Sequence, residues 1–268
     1  MASIINNVGA LNASRNLAAS QDGLNNTINR LSTGLRINRA SDDAAGLQIS
    51  NNLRADVRVL NQARRNANDG LGRLAVVDLT SEEATNLLTR AAELAEQAAS
   101  GTTTSAGRAA LDQEFTEIKE ALTALDSDTK FDGEEVFGND FTVRVGEETS
   151  EVVTATAFSI DATSLSINSN DLTTSNNAST ALSAILGAIE TVSSNRGGVG
   201  AKSARLQTIV NSLGIRSENL TAAESQIRDA DVASEVVNLT KFQILSQSGV
   251  SALAQANQSA QSVLSLLG

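Results

Sequence analysis

Four stretches of this chain carry side chains whose types and spacing could do chemistry. Gly197-Gly198-Val199-Gly200-Ala201-Lys202-Ser203 has the outline of a phosphate-binding loop. That loop needs Gly directly before Lys, where Ala201 stands, and a preceding strand that the sequence does not supply. Small residues that let helices pack closely are the better account. Asp126-Ser127-Asp128-Thr129-Lys130-Phe131-Asp132-Gly133 resembles a calcium loop, but Lys130 takes a ligand position and no Glu falls at the twelfth. The pairs Glu82/Glu83, Glu134/Glu135 and Glu147/Glu148 could serve acid–base work. Adjacent side chains on a helix or strand diverge, so each pair reads as surface charge. Arg54, Arg58 and Arg65 share one helical face, read as solvated or, more sharply, as a contact for the acidic middle region of a neighbouring copy.

Composition narrows the chemistry further. The 268 residues include no His, Cys, Pro, Trp or Tyr. Without His and Cys the common zinc, haem and triad chemistries lose their usual residues. An enzyme is not expected, nor any cofactor or metal. The net charge of −11 is uneven: residues 1–75 hold nine Arg against five acids, residues 81–151 five bases against seventeen acids. Such a balance argues against nucleic acid as a partner. The amino end, MASIINNVGALNAS, lacks the basic start and apolar run of a secretory signal, and no window is long enough to span a membrane. The expectation is a protein that stays inside or leaves without a cleaved signal.

The elements that must position these residues are mostly helices, and the absence of Pro lets them run long. Residues 4–35 carry Ile4, Val8 and Leu11, then Leu17, Leu24, Ile28, Leu31 and Leu35, at spacings of three and four. Gly34 interrupts this helix. Ser41 before Asp42 and Asp43 signals the next start, with the hydroxyl as cap. That helix continues to about Ser100, roughly 85 Å of it. Gly101–Gly107 is a turn, and a third helix spans Arg108 to about Asp126. Phe141, Val143 and Val145 alternate, then Val153 to Ile160, as in a hairpin at about 140–165. Residues 161–180, rich in Ser, Thr and Asn, read as loop, and a long helix covers about Ala181 to Arg228.

The final stretch, 230–268, has no charge after Lys241. Leu239, Ser246, Leu253, Ala260 and Leu267 form one heptad row, and Phe242, Gly249, Ala256 and Val263 a second. Gln243, Gln247, Gln255 and Gln258 give the remainder a polar, unionised face. A helix of this kind is marginal alone, and residues 1–40 are its expected partner. The fold class is mainly α: a long coiled-coil or bundle rod with a small β-hairpin region. Its expected parts are an inner segment 1–40, a helical domain 41–229, and an inner segment 230–268.

Leu31–Ser50 (LSTGLRINRASDDAAGLQIS) and Ile227–Gly268 (IRDADVASEVVNLTKFQILSQSGVSALAQANQSAQSVLSLLG) together resemble the two terminal signatures of bacterial flagellin. Gly268 departs from the Arg common in relatives. The short span between Phe141 and Thr180 suggests a minimal two-domain type without outer variable domains. The resemblance implies a structural subunit of the flagellar filament, a helical homopolymer for motility, secreted through a type III export system and folding on assembly. It implies an export chaperone, hook-associated and cap proteins as partners. It also implies a subunit interface along the seams (Ile4, Val8, Leu11, Leu24, Ile28, Leu31, Leu239, Phe242, Leu253, Ala260, Val263, Leu267) and a channel lined by Gln243, Gln247, Gln255 and Gln258. By the same resemblance Arg90, Leu94 and Glu114 match a contact for Toll-like receptor 5, with Ala92 and Glu96 departing from the family pattern beside them. A hook–filament junction protein and a secreted coiled-coil translocator or adhesin are the alternatives. The first should match the terminal signatures poorly, and the second needs an apolar span or basic amphipathic face that is not seen.

Overall fold

The computed structural model describes residues 7–148 and 150–265; the side chains of Ala260, Gln261 and residues 263–265 lie outside that description. Among the described residues five helices dominate: α1 (Val8–Thr33), α2 (Ala44–Ala99), α3 (Ser105–Asp128), α4 (Ser175–Arg228) and α5 (Val232–Ser265). Four short strands, β1 (Lys130–Phe131), β2 (Glu134–Glu135), β3 (Phe141–Arg144) and β4 (Val152–Ala155), form two antiparallel pairs. No described helix is long and apolar enough to cross a membrane.

Local sequence explains most boundaries. Gly34 ends α1 in the left-handed conformation (φ 70°), its N–H bonding Arg30 O at 2.8 Å. The cap of α2 is Asp43, not Ser41: its carboxylate accepts from Gly46 N at 2.9 Å. Asp42 serves the turn before it, accepting from Asn38 N and Arg39 N. Those amide bonds hold its carboxyl below the usual range. Thr104 caps α3 through Gly107 N. Asp132 and Gly133, with φ of 53° and 83°, make the two-residue turn of β1–β2. An Asp-Gly pair is a signal for such a turn.

The chain divides into two compact units, Met1–Ala55 with Asn219–Gly268, and Asp56–Glu218. The divisions fall inside α2 and α4 rather than at 40/41 and 229/230. In unit 1 the opening turns of α2 and the closing turns of α4 join the terminal helices. Arg54 pairs with Glu224 at 2.9 Å, Arg36 N bonds Arg228 O, and Ala230 N bonds Gly34 O.

Unit 2 has its own core. Leu88, Leu94, Phe115, Leu122 and Ile185 are at most 1% exposed. α2 and α4 run antiparallel, pinned by Ser175 Oγ to Ala99 O at one level and Arg196 to Asp78 at another. The β3–β4 hairpin, registered Phe141↔Ala155, lays Val143 against Gly70 of α2, where Leu206 of α4 also approaches. Strand β4 stops at Ala155, short of the alternation expected to Ile160. The segment 156–174 is irregular but not peripheral. Ile160, Ala162, Leu165, Ile167 and Leu172 plug the core, anchored by Asp126 on Ile160 N and Asp112 on Leu172 N.

Candidate subunit interface

In unit 1, α1 and α5 pack antiparallel along one seam. Asn7 Nδ2 donates to Ala256 O at 2.9 Å, Leu17 lies against Gly249, Gly23 faces the Phe242 ring, and Arg30 pairs with Glu235 at 3.2 Å. A Cβ on Gly23 would sit 2.5 Å from Phe242 Cε1, so this glycine is the hole that the ring fills. The Glu235 side chain, only 10% exposed, has one oxygen on Arg30 and the other without a partner.

On α5 the half-buried residues are Asn238, Leu239, Phe242, Ser246, Gly249, Leu253 and Ala256, and all but Asn238 fall on the two heptad rows read from the sequence. On α1 the seam is Ala10, Ala13, Leu17, Ser20, Leu24, Thr27 and Leu31. Leu24 and Leu31 are therefore in it, whereas Val8, Leu11 and Ile28 face outward at 61%, 60% and 47% exposure. The reason is packing distance. Ala10, Ala13 and Gly23 let α5 approach closely, and Leu11 and Ile28, each one residue past a seam position, turn about 100° away. Thr27 is buried, its hydroxyl satisfied by Gly23 O. Nothing in the apolar spacing could have selected it. Gln243, Gln247, Gln255 and Gln258 are all exposed. Ile4 and Leu267 lie outside the described residues, as do the side chains of Ala260 and Val263.

The other sequence candidates scatter over unit 2. Arg90 donates to Glu114 (2.9 Å) and Glu93 (3.1 Å), and these bonds raise its pKa above the ordinary value. Leu94 is 1% exposed within the core. Its side chain is closed to solvent, whereas Arg90 and Glu114 stand at the surface. Gly197, Gly198 and Gly200 lie in mid-α4 with nothing within 4 Å of an added Cβ. The close helix packing expected of them does not occur within this chain. Among the described residues Lys202 reaches only Thr156 Oγ1, at 3.4 Å. Asp126 is occupied by Ser159 and Ile160. Among the described residues no group of three or more acids is placed to hold a metal ion.

What this arrangement can do is pack against more protein. Besides Val8, Leu11 and Ile28, unit 1 exposes Val232, Val236, Val237, Ile244, Leu245 and Val250 at 42–67%. The bacterial flagellin N-terminal helical region matches residues 4–142, and the bacterial flagellin C-terminal helical region matches residues 182–267. The chain belongs to the bacterial flagellins. It is a structural subunit of the flagellar filament, not an enzyme. This flagellin is 37% identical to the flagellin of Halalkalibacterium halodurans over 98% of its own length and 99% of that protein. It is 35% identical to the flagellar filament 33 kDa core protein of Treponema phagedenis and 33% identical to the flagellin of Bacillus subtilis, with the same shares covered. Among solved structures, the Bacillus cereus flagellin crystal structure matches with a TM-score of 0.51 at 25% identity, covering 60% of this chain and 94% of that one.

Proposed function

We propose that unit 1 reaches its final packing only inside the filament, where neighbouring copies cover the faces that the α1–α5 pair leaves open. The observation that carries this is the row of large apolar side chains outside the seam. Nine of them, Val8, Leu11, Ile28, Val232, Val236, Val237, Ile244, Leu245 and Val250, are 42–67% exposed. Covering them is worth on the order of 10 kcal/mol gross, at about 1 kcal/mol for each half-exposed side chain. Ordering of the helices is then coupled to assembly, because neighbours supply what a lone pair lacks.

The same coupling suits export. A chain with no Pro and no Cys has no prolyl isomers or disulfides to delay refolding. It travels unfolded through a hollow filament by a type III system and folds at the tip, outside the cell, with an export chaperone before it and hook-associated and cap proteins around it. The exposed Gln243, Gln247, Gln255 and Gln258 line the channel. A wall of amides carries no net charge and neither traps nor repels charged segments of a passing chain. The test is a chain lacking Val232–Gly268, which stays soluble and monomeric when seeded with filament fragments. Normal filaments from that chain, seen by electron microscopy, refute the coupling.

A further inference from the structure

The dipeptide Asp-Gly occurs three times in this flagellin, at Asp22-Gly23, Asp69-Gly70 and Asp132-Gly133. In such a pair the Asp carboxyl carbon and the next backbone nitrogen can close into a succinimide ring, because glycine has no side chain to block its own nitrogen. All three Asp side chains are exposed, so access does not separate the sites. The state of the glycine nitrogen does.

Gly23 and Gly70 lie inside α1 and α2. There each amide is committed to the carbonyl four residues earlier, and the Asp backbone is held at helical angles. Swinging that nitrogen onto the side chain breaks the helix on both sides of the site. Gly133 instead sits exposed in the β1–β2 turn at φ 83°, beside Asp132 at 53°. Among the described residues neither the Gly133 N–H nor the Asp132 carboxylate has a hydrogen-bond or ion-pair partner. The flanking strands, Lys130–Phe131 and Glu134–Glu135, are two residues each, and a ladder that short opens at little cost.

We propose that Asp132-Gly133 is a site of spontaneous covalent modification, where the backbone isomerises from aspartyl to isoaspartyl while Asp69-Gly70 stays intact. The Gly133 nitrogen attacks Cγ of Asp132. The N–Cγ bond forms as the carboxyl hydroxyl leaves with the amide proton as water. A second water then opens the ring. Attack at Cγ restores aspartate; attack at the main-chain carbonyl carbon of Asp132 breaks its bond to the Gly133 nitrogen and leaves the chain running through Cβ and Cγ. One water leaves, one enters, no electrons are exchanged, and water is the sole co-reactant. The product has one more main-chain atom in a two-residue turn, so the turn no longer sets the register Lys130↔Glu135. Two contacts depend on that register: Arg73 donating to Glu135 O and Val136 N donating to Thr129 O. The chemistry belongs to unit 2 alone and does not depend on assembly.

The experiment incubates the folded full chain and a guanidinium-denatured sample in water labelled with heavy oxygen, so that each ring opening leaves one labelled oxygen at the site. Trypsin releases the two Asp-Gly sites of unit 2 in separate peptides, 66–73 and 131–144. Electron-transfer fragmentation then locates the label and distinguishes isoaspartate from aspartate. In the denatured chain the two sites should convert at rates within about twofold of each other. In the folded chain Asp132 should convert at least about tenfold faster than Asp69, a ratio equivalent to about 1.4 kcal/mol. Asp132→Asn should give the same isoaspartyl product faster, with ammonia leaving in place of the first water, and Asp132→Ser should take up no label there. Equal rates at the two sites of the folded chain overturn the proposal. So does an Asp132 that stays unlabelled in the folded chain while the denatured chain converts, or a denatured chain that converts at neither site.

Discussion

Gly70 and Gly72 lie two residues apart in the interior of α2, and replacing either by alanine should move stability in opposite directions. The helix-propensity gain is the same at both sites, about 1 kcal/mol. The surroundings differ. A Cβ on Gly70 would lie 2.6 Å from Val143 Cγ2, 3.3 Å from Cγ1 and 3.4 Å from Leu206 Cδ1; on Gly72 its nearest neighbours are Phe131 ring atoms at 3.7 and 3.8 Å. Val143 is β-branched, 7% exposed and held in β3, so it cannot rotate away and the strand must retreat. Overpacking of this kind costs about 1–3 kcal/mol. Gly70→Ala should therefore destabilise unit 2 by about 1 kcal/mol, and Gly72→Ala should stabilise it by about as much. The gap of about 2 kcal/mol corresponds to about 4–8 °C in the melting of a unit this size. Circular dichroism melts of the two variants, with urea titrations to give the free energies, measure it directly. Gly70→Ala/Val143→Ala then separates the clash from the lost valine contacts. Equal gains from both single substitutions would refute the claim that β3 sits on α2 as closely as the geometry requires.

Two further outcomes follow from local geometry. Hydrogen bonds from the Asn177 side chain and from Thr173 hold the Asp171 carboxyl below the usual range. Burial pushes Asp161 up, but bonds from Ser164 and Thr163 outweigh it, so that it too lies low. A depressed folded pKa gives stability that is complete above the unfolded value of about 3.9 and is lost as pH falls through the folded one. The melting temperature should thus decline below about pH 4, and less steeply in Asp171→Asn; identical acid limbs in the two proteins would remove Asp171 from the account. Gly133→Ala places a side chain at φ 83° in the β1–β2 turn and should cost about 1–2 kcal/mol, read as a lower urea midpoint; an unchanged midpoint would mean the turn can open without consequence.

The long helices were legible because nothing interrupts them: no proline occurs, and their apolar residues recur at three and four over several turns. The paired rows of α5 were legible for the same reason, since Leu239, Phe242, Leu253 and Ala256 keep one phase throughout. The hairpin at Phe141–Ala155 showed in its alternation. The plug from Ile160 to Leu172 did not. Its buried residues follow neither helical nor strand period, and their Ser, Thr and Asn neighbours mark a loop.

Residue types and periodicity by themselves determined that this chain would be long helices, with a closing helix that requires company and little capacity for catalysis. Tertiary structure alone decided which side of each helix is used. Leu94 is sealed in the core while Arg90, four residues earlier, stays at the surface; Thr27 is buried while Ile28 is exposed. A helical stripe specifies a broad arc of apolar side chains, and the small residues Ala10, Ala13 and Gly23 select, within that arc, the line along which a second backbone comes closest.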